Sequence, residues 1–285
     1  MGILKVGAET RNMEAKNTIG AYLRIIRDSH RVIRGWWWVL PLAWFAGPSR
    51  YWPRYGIRAL KDHQILLKLN NGVKFVCLLE EVYTIIEVYC RMEYQTCLQN
   101  ADYIVDIGSN IGVSVVWLGQ KYPNAAIWAI EPTYLTMKRL ITNIRINGMS
   151  DRVDIMSMAV GGRDGFAKVN LGLTSARTSA SRDYSHGLSV STISLASIVE
   201  RVGGAADLIK IDCEGAEYEF FNEAPDDVFS NIGLIVGEAH SVGSAQHDHL
   251  VRRFRNLGFG VSEYNLNGQY ESFQAINNRL NTNIA

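Results

Sequence analysis

The sequence predicts an α/β protein built on a mostly parallel sheet, and three observations carry that prediction. Apolar runs at 103–107, 126–130, 153–159, 208–212 and 232–237 alternate with helical segments, the rhythm of βαβ units whose helices cover both faces of the sheet. The first run ends in a tight glycine turn, Asp106-Ile107-Gly108-Ser109-Asn110-Ile111-Gly112, where missing Cβ atoms let backbone approach a ligand. Acids stand at the ends of later runs, at Glu131, Asp212 and Glu238. Ligands of open α/β sheets bind beyond the carboxyl ends of the strands.

The chain opens basic. Its 285 residues carry a net charge of only +1, yet residues 1–60 hold ten Lys/Arg against three acids, which gives +7 there and leaves −6 for the rest. Residues 1–60 read as a basic, Trp-rich extension and residues 61–285 as the main domain, with its motif-bearing region at 100–265. From Ala21 to Arg34, Tyr22, Ile25, Ile26, Val32 and Ile33 share one side of a helical pattern, and Arg24, Arg27, Arg31 and Arg34 the other. Trp36-Trp37-Trp38 and Trp44-Phe45 follow. Two readings stand: a solvated face with the tryptophans packed on the main domain, or an interfacial anchor in which residues 21–47 touch a membrane surface peripherally. The apolar block from Trp36 to Gly47 is far shorter than the ~20 residues of a membrane span, and Pro41 interrupts it.

Farther along, Gln64 to Leu79 reads as a hairpin around Asn71-Gly72, and Glu80 to Tyr94 as a helix. Region 160–194 breaks the βα rhythm with Gly161-Gly162, a hairpin through Val169 and a Ser/Thr/Gly-rich run from Thr174 to Ser191. Phe259–Tyr264 and Tyr270–Ile276 read as a closing antiparallel hairpin. The near-neutral total predicts no bulk affinity for nucleic acid. Four cysteines (Cys77, Cys90, Cys97, Cys213) form no C-x-x-C and no zinc spacing; reduced thiols suit a cytoplasmic protein. The N-terminus has no signal-peptide pattern, and Val6 at the sixth position excludes a myristoylation signal.

Asp106 sharpens the glycine turn. Dinucleotide sites leave this strand apolar and offer helix N–H groups to a pyrophosphate, whereas Asp106 adds negative charge where a phosphate would sit. A ligand with a cationic end and a ribose but no phosphate fits better, which points to S-adenosylmethionine. Glu131 lies 23 positions beyond Gly108 and is placed to accept hydrogen bonds from both ribose hydroxyls, a geometry that NAD sites share. Ala159 and Val160, at the end of the third run, would flank an adenine; core packing explains them equally well. If run 208–212 neighbours run 103–107, Asp212 lies across the switch point from Gly108, near the transferred methyl. Glu214 points the same way as Asp212 in extended chain. Glu217 is read as a helix N-terminal acid favoured by the dipole.

Glu238-Ala239-His240 sets a His beside an acid, a combination suited to general-base work at neutral pH. His247 and His249 make no strong zinc spacing with His240 and read as a polar helix entrance. Tyr184 and His186 fall in the 174–191 run, read as surface loop.

Val105-Asp106-Ile107-Gly108-Ser109-Asn110-Ile111-Gly112, Glu131-Pro132, Ala159-Val160-Gly161 and Leu208-Ile209-Lys210-Ile211-Asp212-Cys213-Glu214-Gly215-Ala216-Glu217 together resemble the FkbM family of methyltransferases. The resemblance covers roughly residues 100 to 265, in order. It implies a class I methyltransferase (Rossmann-like) seven-stranded sheet, S-adenosylmethionine as donor, and O-methylation of hydroxyls on sugars, glycans or polyketide-like small molecules. It further implies that Gly108, Asn110 and Gly112 line the methionine part of the cofactor, with Asp106 and Ser109 of the same turn also counted as cofactor-binding, that Glu131 holds its ribose, and that Asp212 sits beside the reacting centre.

For the reaction, His240, Asp212 or Glu238 would assist deprotonation of the acceptor hydroxyl. Alternatively a divalent ion on Asp212, Glu214 or Glu238 would polarise it; such an oxygen-only set suits Mg²⁺. Two other functions compete: an NAD-dependent oxidoreductase, which Asp106 opposes, and a non-catalytic membrane-surface module built on the basic stripe.

Overall fold

The computed structural model describes residues 32–34, 64–78, 81–90, 92–170, 179–181, 188–213, 215–240, 244–264 and 270–280. Most of the 21–47 segment, together with Tyr184, His186 and Glu214, lies outside them. Two compact units divide the chain, Met1–Met92 and Glu93–Ala285.

In the first unit, alternating burial makes β1 (Ile65–Lys68) and β2 (Lys74–Cys77) an antiparallel hairpin, with Ile65 opposite Cys77 and Lys68 opposite Lys74. Gly72 turns the chain at φ +91°, and the Asn71 side chain accepts from the Val73 amide. The helix expected over 80–94 is shorter, α1 (Val82–Cys90). Glu81 accepts from the Leu78 amide at its start, and Met92, at φ +55°, stands just past its end. Val82, Ile85, Ile86 and Val88 are its buried positions, and Tyr89 meets Phe75 edge to face.

The second unit runs β3 (Tyr103–Ile107), α2 (Val113–Lys121), β4 (Ala126–Ile130), α3 (Tyr134–Ile146), β5 (Val153–Met156), β6 (Ala159–Val160), β7 (Gly165–Asn170), β8 (Ser179–Ser181), β9 (Leu188–Ile193), α4 (Leu195–Arg201), β10 (Ala206–Ile211), α5 (Glu217–Asn222), a 3-10 turn (Asp226–Asn231), β11 (Ile232–His240), α6 (Ser244–Asn256), β12 (Phe259–Tyr264) and β13 (Tyr270–Asn277). Seven strands pair in the order β5-β4-β3-β10-β11-β13-β12. All pairs from β5 to β11 are parallel, and the terminal hairpin is antiparallel. This is the expected seven-stranded, mostly parallel sheet, and its winding reverses between β3 and β10.

Strand ends differ from expectation where pairing, not composition, sets them. The run 153–159 is two strands: β5 stops at Met156, while β6 joins a separate sheet, pairing in parallel with β9. Region 160–194 supplies that sheet, ordered β6-β9-β7-β8, with β7 and β9 antiparallel as the hairpin through Val169. Of the last two parallel runs, 208–212 is shifted, β10 starting at Ala206 and stopping at Ile211, and 232–237 is extended, β11 continuing through His240.

Ile104, Ile107, Ile209, Ile211, Leu234 and Ile235 are all but inaccessible, as strands covered on both faces require. Against the far end of the sheet α5 and α6 pack an aromatic cluster. Phe254 meets Phe221, Phe229, Phe259 and Phe273 with ring centroids between 5.1 and 6.2 Å apart. The neighbouring Arg253 ties α6 down through the Phe221 and Ala224 carbonyls and Asp226.

Replacing Phe254 with Ala removes the ring common to four of these contacts. The expected loss is about 3–5 kcal/mol of stability, read as a lower urea midpoint with an unchanged slope.

Candidate active site

The turn after β3 is built from its own backbone outward. Gly108 (φ +73°), Asn110 (φ +47°) and Gly112 (φ +86°) all adopt the left-handed region. The Gly108 and Ser109 amides donate to the Ile130 carbonyl, and the Asp212 amide donates to the Ile107 carbonyl. A Cβ on Gly108 would stand 1.7 Å from the Asp212 carbonyl oxygen. The glycine here is therefore required by the closeness of β3 and β10 at the switch point, rather than by a ligand. Gly112 caps α2 against the Leu140 side chain.

Glu131, at the end of β4, is buried and braces this turn. Its carboxylate accepts from the Asn110 amide at 3.0 Å and from the Thr133 amide at 2.8 Å. Burial pushes its carboxyl pKa up, against those donors and Lys210. The buried side-chain oxygen of Asn110 has no hydrogen-bond partner. An acceptor left without a donor is costly unless a ligand supplies one.

Asp106 does not line the crevice. It is 0% exposed and sits opposite Lys210 in the β3–β10 register, with Nζ to Oδ1 at 3.3 Å. Its charge is met inside the sheet by Lys210, away from the surface of the crevice. That correction moves the electrostatic case against a pyrophosphate to Glu131, Asp212 and Glu238. Ser109 is equally buried, its hydroxyl donating to the Asp106 carbonyl.

Lys210 is the group that sequence reasoning missed. Its Nζ also donates to the carbonyls of Ile107 (3.2 Å) and Gly108 (2.9 Å) and lies 5.0 Å from the centre of the Tyr94 ring. Burial alone would lower its pKa; the carboxylates of Asp106, Asp212 and Glu238 outweigh it and raise the value, keeping the ammonium charged. The lone lysine among Leu208, Ile209 and Ile211 was the available signal. Tyr94 had none: its hydroxyl donates to Asp212 Oδ2 at 3.0 Å across 118 residues of chain. Burial, then Asp212, Glu93 and Glu238, push the Tyr94 pKa well up, so it remains a donor.

Beyond β10 and β11, Asp212, Glu238 and His240 converge. His240 Nε2 lies 3.7 Å from Asp212 Oδ1 and 3.6 Å from Glu238 Oε2. Its Nδ1 lies 3.1 Å from Glu217 Oε1. Glu217 is wholly buried and also accepts from the amides of Cys213 and Gly215. It is thus more than a helix N-terminal acid: it orients the imidazole. Burial, then Glu217 and Asp212, push the Cys213 thiol well up, which keeps it protonated.

Glu214 lies outside the described residues, and the group that joins Asp212 and Glu238 is His240. His247 pairs instead with Glu263 at 3.4 Å, and His249 is exposed. Ala159 and Val160 are buried side chains on the edge strand β6; what they can offer a ligand is the backbone edge opposite β9.

Lys210→Met leaves Asp106 buried beside no cation. The expected cost is about 3–5 kcal/mol by chemical denaturation, and pairing it with Asp106→Asn restores part of that loss, a coupling that a double-mutant cycle measures.

Comparison with known proteins follows the same lines. The model of the methyltransferase FkbM domain matches residues 106–261, and no curated protein matches the chain. Among solved structures, a methyltransferase FkbM from Methylobacillus flagellatus is 13% identical, with 70% of this chain and 54% of that one covered and a TM-score of 0.46. A precorrin-6y C5,15-methyltransferase from Geobacter metallireducens is 13% identical over 70% of this chain and 87% of that one, at a TM-score of 0.40. An O-methyltransferase family protein from Burkholderia thailandensis is 12% identical over 70% and 56%, at 0.43. The matched domain spans more than half of the sequence and contains the glycine turn, Glu131 and the Asp212–Glu238–His240 cluster: the chain belongs to the FkbM methyltransferase family.

Proposed function

We propose that this methyltransferase acts on a hydroxyl oxygen of a sugar, glycan or polyketide-like small molecule. One observation carries the reading: proton-handling groups converge beyond the strand ends at the switch point, beside the turn that Glu131 braces. S-adenosylmethionine is the donor that the family implies, and the residues present suit it. Asn110 offers a buried acceptor without a donor, and Glu131, Asp212 and Glu238 offer carboxylates. Ribose hydroxyls, an ammonium and a sulfonium are the complementary donors and charges.

Bound S-adenosylmethionine supplies a methyl carbon for attack by the acceptor oxygen, its sulfur keeping the bonding electron pair. The protein's own task is alignment and removal of the hydroxyl proton. Glu131 holds the ribose end, and Asn110 and the backbone of Gly108 to Gly112 hold the methionine end. Tyr94 fixes one oxygen of Asp212 and Glu217 fixes one nitrogen of His240. The remaining faces of Asp212, Glu238 and His240 receive the acceptor hydroxyl, and its proton leaves through them.

Calorimetry with S-adenosylhomocysteine and with NAD separates this reading from a dinucleotide-dependent one. S-adenosylhomocysteine is expected to bind and NAD not, and Glu131→Ala should weaken the former by about 2–3 kcal/mol through two lost hydrogen bonds to a charged acceptor. Unchanged affinity in that variant removes Glu131 from the site. The carboxylate form accepts the ribose hydroxyls, so affinity is full above the raised Glu131 pKa and falls as pH drops through it. Glu131→Gln should abolish that dependence.

Methyl transfer from labelled S-adenosylmethionine to a panel of sugars, glycans and polyketide alcohols is expected to give base-stable ethers. Label appearing on amines or carboxylates instead would refute O-methylation. His240→Ala should lower kcat by about 10²–10⁴-fold while S-adenosylhomocysteine affinity stays unchanged.

A further inference from the structure

We propose that Asp212, Glu238 and His240 bind a divalent transition-metal cation, which presents the acceptor hydroxyl for methylation. The metal site rests on geometry alone; its part in catalysis rests on the methyl-transfer reading above.

The three side chains each offer one ligand atom, and these atoms lie within 4.8 Å of one another. Donors held about 2.1 Å from one ion stand about 3.0–3.4 Å apart in octahedral or tetrahedral geometry. The 3.6 and 3.7 Å spacings around His240 Nε2 need only small side-chain rotations to close on a cation.

The imidazole is already aimed. Wholly buried Glu217, itself pinned by two backbone amides, accepts a hydrogen bond from Nδ1–H. Nε2 then faces the carboxylates of Asp212 and Glu238, and a cation placed among the three would draw them together. A carboxylate behind a metal-binding histidine is the usual means of fixing the ring and raising its basicity.

Charge balance points the same way. Lys210 is matched by Asp106 inside the sheet, while Asp212, Glu217 and Glu238 bring three carboxylates to one imidazole. Glu238 is buried, while the side chains of Asp212 and His240 are 29% and 21% exposed. The ion therefore has a route in from solvent. Three protein ligands leave further coordination positions for water and a hydroxyl.

The donor set also names the class of ion. An oxygen-only set with Glu214 would suit Mg²⁺; imidazole in its place shifts preference to first-row transition cations such as Mn²⁺, Co²⁺ or Zn²⁺. A hydroxyl bound to such an ion would give up its proton more readily, with Nε2 as ligand and the carboxylates as the proton's way out.

The test uses the full-length chain stripped with EDTA and titrated with Co²⁺ in the absence of any methyl donor, followed by calorimetry and visible absorption. One Co²⁺ per chain with d–d bands is expected, undisturbed by millimolar Mg²⁺. Asp212→Asn, Glu238→Gln and His240→Ala should each weaken binding at least about 100-fold, and Glu217→Gln about 10–100-fold. S-adenosylhomocysteine affinity and thermal melting are read on the same samples, with His240→Gln as a second variant should His240→Ala not fold.

Folded protein that binds S-adenosylhomocysteine but no Co²⁺ overturns the metal site and leaves the methyl-transfer reading standing. Loss of S-adenosylhomocysteine binding with Co²⁺ binding intact does the reverse. Several weak Co²⁺ ions indifferent to His240→Ala, or a preference for Mg²⁺, also overturn the proposal.

Discussion

The ion pair between Lys210 and Asp106 is the constraint on which the crevice depends. Two neighbouring parallel strands place these charges opposite one another, where water cannot reach them. A buried pair of this kind gains little stability over apolar packing, yet losing one partner is expensive. Its use here is positional. The ammonium also binds the carbonyls of Ile107 and Gly108, so the end of β3 and the start of the glycine turn are held against β10. The same cation lies within the field of Asp212 and Glu238, which couples the floor of the crevice to the groups at its rim.

From that floor the rest follows outward. Glu131 closes one side by bonding the turn's backbone, and Tyr94 and Glu217 set the orientations of Asp212 and His240. Asp212 and His240, at the rim of the crevice, are thus fixed by the more deeply buried Tyr94 and Glu217. Such support is what holds reacting groups in register, and it is spread over β3, β4, β10, β11, α5 and the segment before β3.

How much of this was legible in the sequence depends on the range of the interaction. Strands buried on both faces leave near-continuous apolar runs, so β3, β4, β10 and β11 announce themselves despite Asp106 and Lys210. The hairpin at Asn71-Gly72 and the closing β12–β13 pair are equally local. The break between Met156 and Ala159 is not, because a strand stops where its neighbour stops, and Ile155 and Met156 look no different from Ala159 and Val160 in composition. Asp106 illustrates the same limit for charge: its place after Val105 was plain, but its partner is set by sheet register. Tyr94 lies farther still, and Glu217 carries two roles where the local pattern suggested one.

The close approach of Gly108 to Asp212 has a mechanical corollary. With a carbonyl oxygen filling the space of the absent Cβ and the Asp212 amide bonded to the Ile107 carbonyl, no larger residue can stand at position 108 without parting β3 from β10.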